Sequence, residues 1–511
     1  HKFDKHNLTL LAGYSQQQSE IQLSQGGGTG FPQTGNVQNI NNAATPLTII
    51  VPYPLIYDAL QSFISRINYD YDGKYLFAFI MRADGSSKFA PGHQWGYFPS
   101  VSLGWNLTRE SFLQDSKNIN ALKLRASYGQ SGDQENVPPY QNYAYWGAAK
   151  YNGDAGFVPY NMLGAKPPTW QTNTTFNIGA DFELFNHFLS GSVEYFISDQ
   201  ERLLSQQQIP GTTGFQWAYG NFGKIEDKGL EIQLNTNNIK TNNFTWTSSF
   251  NISFLTNTIK SLAVDNQYIS SYNDQSPTNI LKIGQPVGTF IGVRFAGVNP
   301  ANGDALYYAA DGTKERADQV NFTRDATVIG NSRPKFFGGF SNDFKYKKID
   351  MLIATQFSYG NKVFNLIRTT YESLGWSSAS TPAGAYLGGV YANNDTRVLG
   401  AWSHPGQITN IPRPSFLMQN YFPNSSEFLE DGSFFKIRTV SLGYTISKTK
   451  YFSGIRLYVQ AENLLTLTKY IGFDPEVSST GGSSASAQTA GIDYAAYPPA
   501  RTLSLGVDLK F

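Results

Sequence analysis

The chain has 511 residues, of which 15% are charged, against roughly 25% in average soluble proteins, while aromatics also reach 15% and mean hydropathy is −0.34. A net charge of +1 with no Lys/Arg run excludes an electrostatic case for nucleic acid, and the absence of cysteine removes disulfides, Cys-ligated zinc, iron–sulfur clusters and thiol catalysis. No stretch approaches the roughly 18–20 uninterrupted apolar residues of a spanning helix.

Aromatic-rich, charge-poor and polar overall is the composition expected when half of each strand faces lipid and half faces water. His1 is not a natural translation start and no secretory leader opens the sequence, so the chain is expected to be a piece of a longer protein.

Period-2 alternation dominates the pattern, in segments of about ten residues, the length of a tilted membrane-crossing strand. About 14 such spans are predicted in chain order: 7–15, 64–71, 74–83, 96–107, 121–130, 172–184, 188–198, 224–236, 243–254, 335–346, 349–360, 433–446, 453–465 and 500–511. Val101, Leu103, Trp105 and Leu107 enclose Ser102, Gly104 and Asn106. Leu122, Leu124, Ala126 and Tyr128 alternate with Lys123, Arg125, Ser127 and Gly129. Ile455, Leu457, Val459 and Ala461 alternate with Arg456, Tyr458, Gln460 and Glu462. The last span is unbroken: Leu503, Leu505, Val507, Leu509 and Phe511 point one way, and Thr502, Ser504, Gly506, Asp508 and Lys510 the other.

The connections alternate too. Short ones (Asp72-Gly73, Phe185 to His187, Lys347-Lys348, Ser447 to Phe452) are interleaved with long ones at 16–63, 131–171, 199–223, 255–334, 361–432 and 466–499. Short periplasmic turns and long extracellular loops are what outer-membrane barrels require. Asp72-Gly73 is a favoured type I′ pair, since both central residues need φ > 0. Parity makes 285–298, which reads as a strand, a structured excursion within the 255–334 connection. A soluble propeller or a stack of sandwiches would instead show a repeat of about 40–50 residues or a turn every 8–12, and neither is present.

Several blocks resemble the SusC/RagA-like TonB-dependent transporters. Arg66-Ile67-Asn68-Tyr69-Asp70-Tyr71 with Gly73-Lys74-Tyr75-Leu76 leads into Arg82 to Phe89 and Trp95 to Ser100. Leu122 to Gly129 with Gly132-Asp133-Gln134 follows, then Lys228-Gly229-Leu230-Glu231, Gly284 to Gly288, Ile329-Gly330-Asn331 with Pro334-Lys335-Phe336, and Leu442-Gly443-Tyr444. Ala461-Glu462-Asn463-Leu464, Tyr470 to Glu476 and Pro498 to Phe511 close the series. Order and spacing carry the resemblance. It implies an all-β, transmembrane antiparallel β-barrel of 22 strands, filled by an N-terminal plug, coupled to TonB through a short box, and lidded by a SusD-like surface lipoprotein in a Bacteroidetes-type outer membrane. Substrates of the family are glycans and, for some members, peptides. Residues 1–511 are then expected to be the C-terminal barrel-forming part, with the plug, the TonB box and about eight strands lying elsewhere. Wide barrels need a plugged lumen, which supports that expectation.

No catalytic residue, cofactor or metal site is expected. His1, His6, His93, His187 and His404 fall in turns, loops or a terminus without metal-ligand spacing. Asn299, Asn302, Asp304, Asp311 and Asp318 place oxygen donors in one connection, but the EF-hand order with its closing Glu is missing, so structural roles are expected there. The substrate-contact candidates are loop aromatics: Tyr140, Tyr143, Tyr145 and Trp146, with Tyr151 and Tyr160 nearby, and Trp217 and Tyr219, flanked by Phe215 and Phe222. Aromatic rings stack on sugar C–H faces, and equally they fill loop packing or anchor at an interface. Phe511, a terminal aromatic on an alternating strand, resembles the signal read by barrel-assembly machinery. A complete passive channel of about 14 strands and an extracellular adhesive β-protein are the competing readings.

Overall fold

The computed structural model describes residues 2–21, 27–30, 43–47, 56–135, 137, 146–151, 154–159, 168–208, 212, 217–265, 267–270, 277–372, 394–415, 422–447, 451–477, 490–494 and 496–510. Its largest sheet has fifteen strands hydrogen-bonded in sequence order. One is a two-residue edge piece, Lys2–Phe3. The rest are β1 (His6–Ile21), β2 (Ile56–Tyr71), β3 (Tyr75–Ser86), β4 (Trp95–Asn106), β5 (Ile119–Asp133), β6 (Gln171–Leu184) and β7 (Leu189–Glu201), followed by β8 (Lys224–Lys240), β9 (Phe244–Ser261), β10 (Phe336–Tyr346), β11 (Ile349–Tyr359), β12 (Phe434–Ser447), β13 (Gly454–Thr468) and β14 (Thr502–Lys510). Each falls on one of the predicted spans. The 285–298 segment lies outside this sheet, as Thr289–Gly292 and Phe295–Val298, each pairing within a smaller sheet. Among the described residues no helix is long and apolar enough to cross a membrane.

Backbone contacts divide the chain into two compact units. The first comprises His1–Leu103, Ser127–Thr175 and Gln200–Gly223. Within it β1 and β2 pair from His6↔Tyr71 to Ile21↔Ile56. Asp72 and Gly73 both take left-handed φ (56° and 64°), and Lys74 N–H closes the turn on the Tyr71 carbonyl at 2.9 Å, as the type I′ reading requires. Phe89, Phe98, Val137 and Trp170 form this unit's buried cluster. Phe98 lies flat against Gly96 and Gly132, where a Cβ would come within 2.4 Å and 2.1 Å of the ring.

The second unit, Gly104–Ala126, Phe176–Asp199 and Lys224–Phe511, contains β8 to β14. Its registers run unbroken from β9 through β14 apart from two irregularities, at Ala354/Thr355 and Ile437/Thr439. Alternation gives the sheet one apolar and one polar face. Phe340, Leu442, Leu457, Leu503 and Val507 are exposed on the apolar face, and Leu505 is 84% exposed. Such a surface would be untenable in water and is the natural one against hydrocarbon. Aromatics mark its two ends. Trp246 stacks on Phe344 near the short-turn rim, and Phe336 meets Phe254 and Tyr359 near the long-connection rim. The few polar groups between them bond to each other or to backbone. Trp246 Nε1 and Ser248 Oγ donate to Asn342 Oδ1, and Thr355 Oγ1 donates to the Phe340 carbonyl.

On the polar face, charges pair across strands. Arg125 on β5 meets Asp181 on β6 at 3.2 Å and Glu194 on β7 at 2.6 Å. Arg456 on β13 reaches Asp350 on β11 at 2.5 Å and Asp508 on β14 at 3.3 Å. Arg125 passes close to Gly179 and Arg456 close to Gly443, positions where a side chain would obstruct them.

Candidate functional site

The described parts of three long connections of the second unit, 262–335, 360–433 and 469–501, fold into one packed body. Their sequences supply short apolar segments too brief to be stable alone, so they are buried against one another. Phe290 from the first, Phe364 and Phe428 from the second and Ile492 from the third share one buried cluster. Lys362–Asn365 pairs antiparallel with Leu429–Asp431 and parallel with Ile492–Asp493. Val293 N–H donates to the Asn424 carbonyl and Ser426 N–H to the Val293 carbonyl, tying the first connection to the second.

Buried ions reinforce that packing. Glu430 accepts from Asn365 Nδ2 at 3.1 Å, Arg368 Nη1 at 3.0 Å and the Ile471 N–H at 2.8 Å. Arg368 also forks onto both oxygens of Glu372, and Arg397 adds a second cation there at 2.7 Å. Tyr470 donates to Asp493, and burial together with that carboxylate pushes its phenol well above the ordinary value. Glu427 keeps some surface open to solvent, yet the protein packed around its carboxyl pushes it up to about 8; Arg368 opposes the shift and Glu372 adds to it.

The body is fastened to the polar face of the wall. The ammonium of Lys436, a β12 residue only 3% exposed, lies 2.6 and 2.8 Å from the two oxygens of Asp474, also donates to Glu476, and stands 5.0 Å over the Phe434 ring. Arg438, two residues on and at the irregularity at Ile437/Thr439, faces the same side, where it binds Glu476, Gln356 Oε1 (2.7 Å) and Asn463 Oδ1 (3.3 Å). Glu476 N–H closes on Asp474 Oδ1 at 2.8 Å around Pro475, which holds the two carboxylates at a fixed spacing. Beside this cluster is a cleft of about 280 Å³, lined among others by Ser332, Phe337, Gln356, Ser358, Phe434 and Glu476. Such an arrangement can bind and orient a small polar molecule. Among the described residues no group of three or more His, Cys, Asp or Glu is placed to hold a metal ion.

Tyr140, Tyr143, Tyr145, Tyr160 and Phe215 lie outside the described residues, as does Phe511 beyond β14. The backbone of Trp146 begins Trp146–Tyr151, which pairs with Asp154–Pro159; Trp217 and Tyr219 belong to Trp217–Asn221, which pairs with Leu204–Gln208. The side chains of Trp146, Tyr151, Trp217 and Tyr219 are outside the described set. The oxygen donors of the 255–334 connection have other work. Asp304 pairs with Arg413, Asp318 with Arg316, and Asp311 accepts from Thr313, which holds its carboxyl below the usual range. Sequence reasoning missed Lys436, Arg438 and Phe337. The available signal was a pair of cations two residues apart on the water side of a strand, matched by two carboxylates flanking a proline.

No protein-family model matches the chain. TonB-dependent receptor P3 of Formosa agariphila is 32% identical over 544 residues, covering 100% of this chain and 51% of that protein. TonB-dependent receptor SusC of Bacteroides thetaiotaomicron is 28% identical, covering 89% and 44%. The fold superposes on a solved RagAB peptide transporter with a TM-score of 0.80 at 23% identity, covering 100% of this chain and 54% of that one. The chain thus spans about half the length of the curated relatives it matches. Matched from end to end in sequence, with strands laid out as in a transmembrane β-barrel, the chain belongs to the SusC/RagA-like TonB-dependent receptors.

Proposed function

We propose that this chain builds the wall and part of the outer mouth of a TonB-powered importer, one that takes up glycans or peptides across an outer membrane together with a SusD-like lipoprotein lid. The observation that carries the reading is the packed body of three long connections, fastened to the water-facing side of a lipid-facing wall and holding a polar cleft. A passive pore does not need so much buried structure at one rim. A receptor that must hold its cargo does.

In this mechanism the wall makes and breaks no bonds. The apolar face fixes the chain in lipid, and paired charges on the polar face keep the strands in register. The rim body positions groups that contact the cargo, with Tyr140, Tyr143, Tyr145, Trp146, Trp217 and Tyr219 as further contacts. Phe511 serves as the assembly signal. TonB supplies the energy through a portion of the protein outside this chain.

The test is uptake of a labelled nutrient by cells carrying the intact gene, with and without TonB, and affinity purification of the intact receptor. Loss of uptake without TonB and recovery of a surface lipoprotein are expected. Uptake that continues at full rate without TonB would select the passive channel.

A further inference from the structure

We propose that a groove on the lipid-facing side of β11 to β14 holds one acyl chain of an anionic phospholipid, whose phosphate rests on the Lys347-Lys348 turn. The groove is on the apolar face of the wall, away from the water-facing cleft, so it adds a partner and not a cargo.

Two rows of side chains stand up from this face. The registers Leu442↔Val459 and Val459↔Leu505 make one row; Ile349↔Tyr444 on β11 and β12 begins the next, which ends at Val507 on β14. Between the rows the floor is backbone, at Gly443 and Gly506. The trough measures about 570 Å³, within the range of roughly 300–1,000 Å³ found for ligand sites, and its lining is mostly apolar. Left empty in hydrocarbon, it would forfeit dispersion contacts along its whole length. A flexible acyl chain restores them.

The trough has a direction. Ile349 is the first residue of β11, directly after the turn, whereas Leu505 lies well inside β14, which ends at Lys510. It therefore runs from the short-turn rim, the periplasmic one in an outer-membrane barrel, into the hydrocarbon. An acyl chain leaves its headgroup along the same path.

The rim end carries the charge. Lys347 and Lys348 are exposed, and among the described residues no carboxylate pairs with either. Lys347 Nζ stands 5.5 Å over the Tyr346 ring, which is 52% exposed on the apolar face. That contact holds the ammonium on the lipid side of the turn, at the level where tyrosines anchor a wall. Asp350, next to Ile349, points to the polar face and is taken by Arg456. Two cations without a counter-charge beside an acyl trough match a headgroup of net negative charge. They would repel the amine of a zwitterionic one.

The intact receptor, purified in nonionic detergent, should be titrated with phosphatidylglycerol, with phosphatidylethanolamine of the same acyl chains, and with glycerol phosphate alone. Native mass spectrometry counts the bound molecules. One phosphatidylglycerol is expected to stay bound at concentrations where phosphatidylethanolamine is lost, and glycerol phosphate is expected not to bind. Affinity should fall about fivefold for each lysine removed in Lys347→Asn and Lys348→Gln, asparagine being chosen because Lys347 has a left-handed φ of 52°. Val507→Phe fills the trough with an apolar ring and should abolish binding; Leu503→Phe, on the same face outside the trough, should leave it unchanged. Heat-modifiable gel mobility checks that each variant is folded. The site is overturned if the two lipids are held equally, if glycerol phosphate binds as well as the lipid, or if the double lysine variant or folded Val507→Phe binds phosphatidylglycerol like the parent. Lipid retention in detergent is read without cargo or TonB, so failure here leaves the importer reading to the uptake experiment.

Discussion

Arg456 reaches Asp350 across the intervening strand β12, passing over Gly443, the residue whose missing side chain leaves it room. A Cβ at 443 would lie 2.6 Å from Arg456 Nε and 2.7 Å from Asp350 Oδ1. Gly443→Val is therefore expected to displace the pair and destabilise the assembled wall by about 1–3 kcal/mol, the usual cost of overpacking. The temperature at which the heat-modifiable band is lost should drop. An unchanged transition would show that the pair has room to move aside.

Lys436 is the second test. Removing its charge with Lys436→Met leaves Asp474 and Glu476 short of a buried partner, and breaking such a pair costs about 3–5 kcal/mol. Hydrogen exchange in the Tyr470–Val477 segment should speed up markedly while exchange within β13 stays slow. The double variant Lys436→Met with Asp474→Asn should recover part of the loss, since it also removes the stranded anion.

The rim body has opposed acid–base behaviours. Glu427, ordinarily near 4.5, is pushed up to about 8 by burial, so the folded state holds its proton longer than the unfolded state does. Stability attributable to it declines from about pH 4.5 to about pH 8. Glu427→Gln should abolish that decline: its exchange protection around Ser425–Leu429 would match the parent near pH 4 and exceed it by pH 8. Asp325, held at about 2 chiefly by Arg324, runs the other way and loses its contribution between about pH 4 and pH 2. A parent protein with flat protection between pH 5 and 8 would contradict the role given to Glu427.

The two faces of β10 make a paired prediction. Phe340→Arg puts a charge against lipid and should cost about 2–4 kcal/mol at mid-depth. Ser341→Arg, one residue on, points to water and should be tolerated. The fraction of protein assembled in outer-membrane preparations reads both.

Spans were legible wherever side chains take turns between lipid and water, and their ends were legible only as far as the bilayer extends. β1 continues from the predicted 7–15 to Ile21 through Gln16-Gln17-Gln18-Ser19-Glu20, because ladder hydrogen bonds persist in water where no apolar pattern is needed. β2 begins at Ile56, eight residues before the predicted start, since Asp58 and the adjacent Ala59-Leu60 break the alternation. The short turn at Asp72-Gly73 was readable from two residues. The rim body was not. Its parallel pair Phe364↔Ile492 and its ion pair Lys436–Asp474 join residues far apart in sequence, and no local period records such partners. The resemblance marked Tyr470 to Glu476 as a block without saying what those carboxylates hold.

Because Phe290, Phe364, Phe428 and Ile492 come from three different connections yet fill one interior, none of the three can be exchanged with a relative's by itself. A single-loop graft would put mismatched shapes into a shared core and scramble its neighbours. Lineages that trade cargo preference should inherit these three segments as a set, and a designer moving specificity between receptors would have to transplant them together.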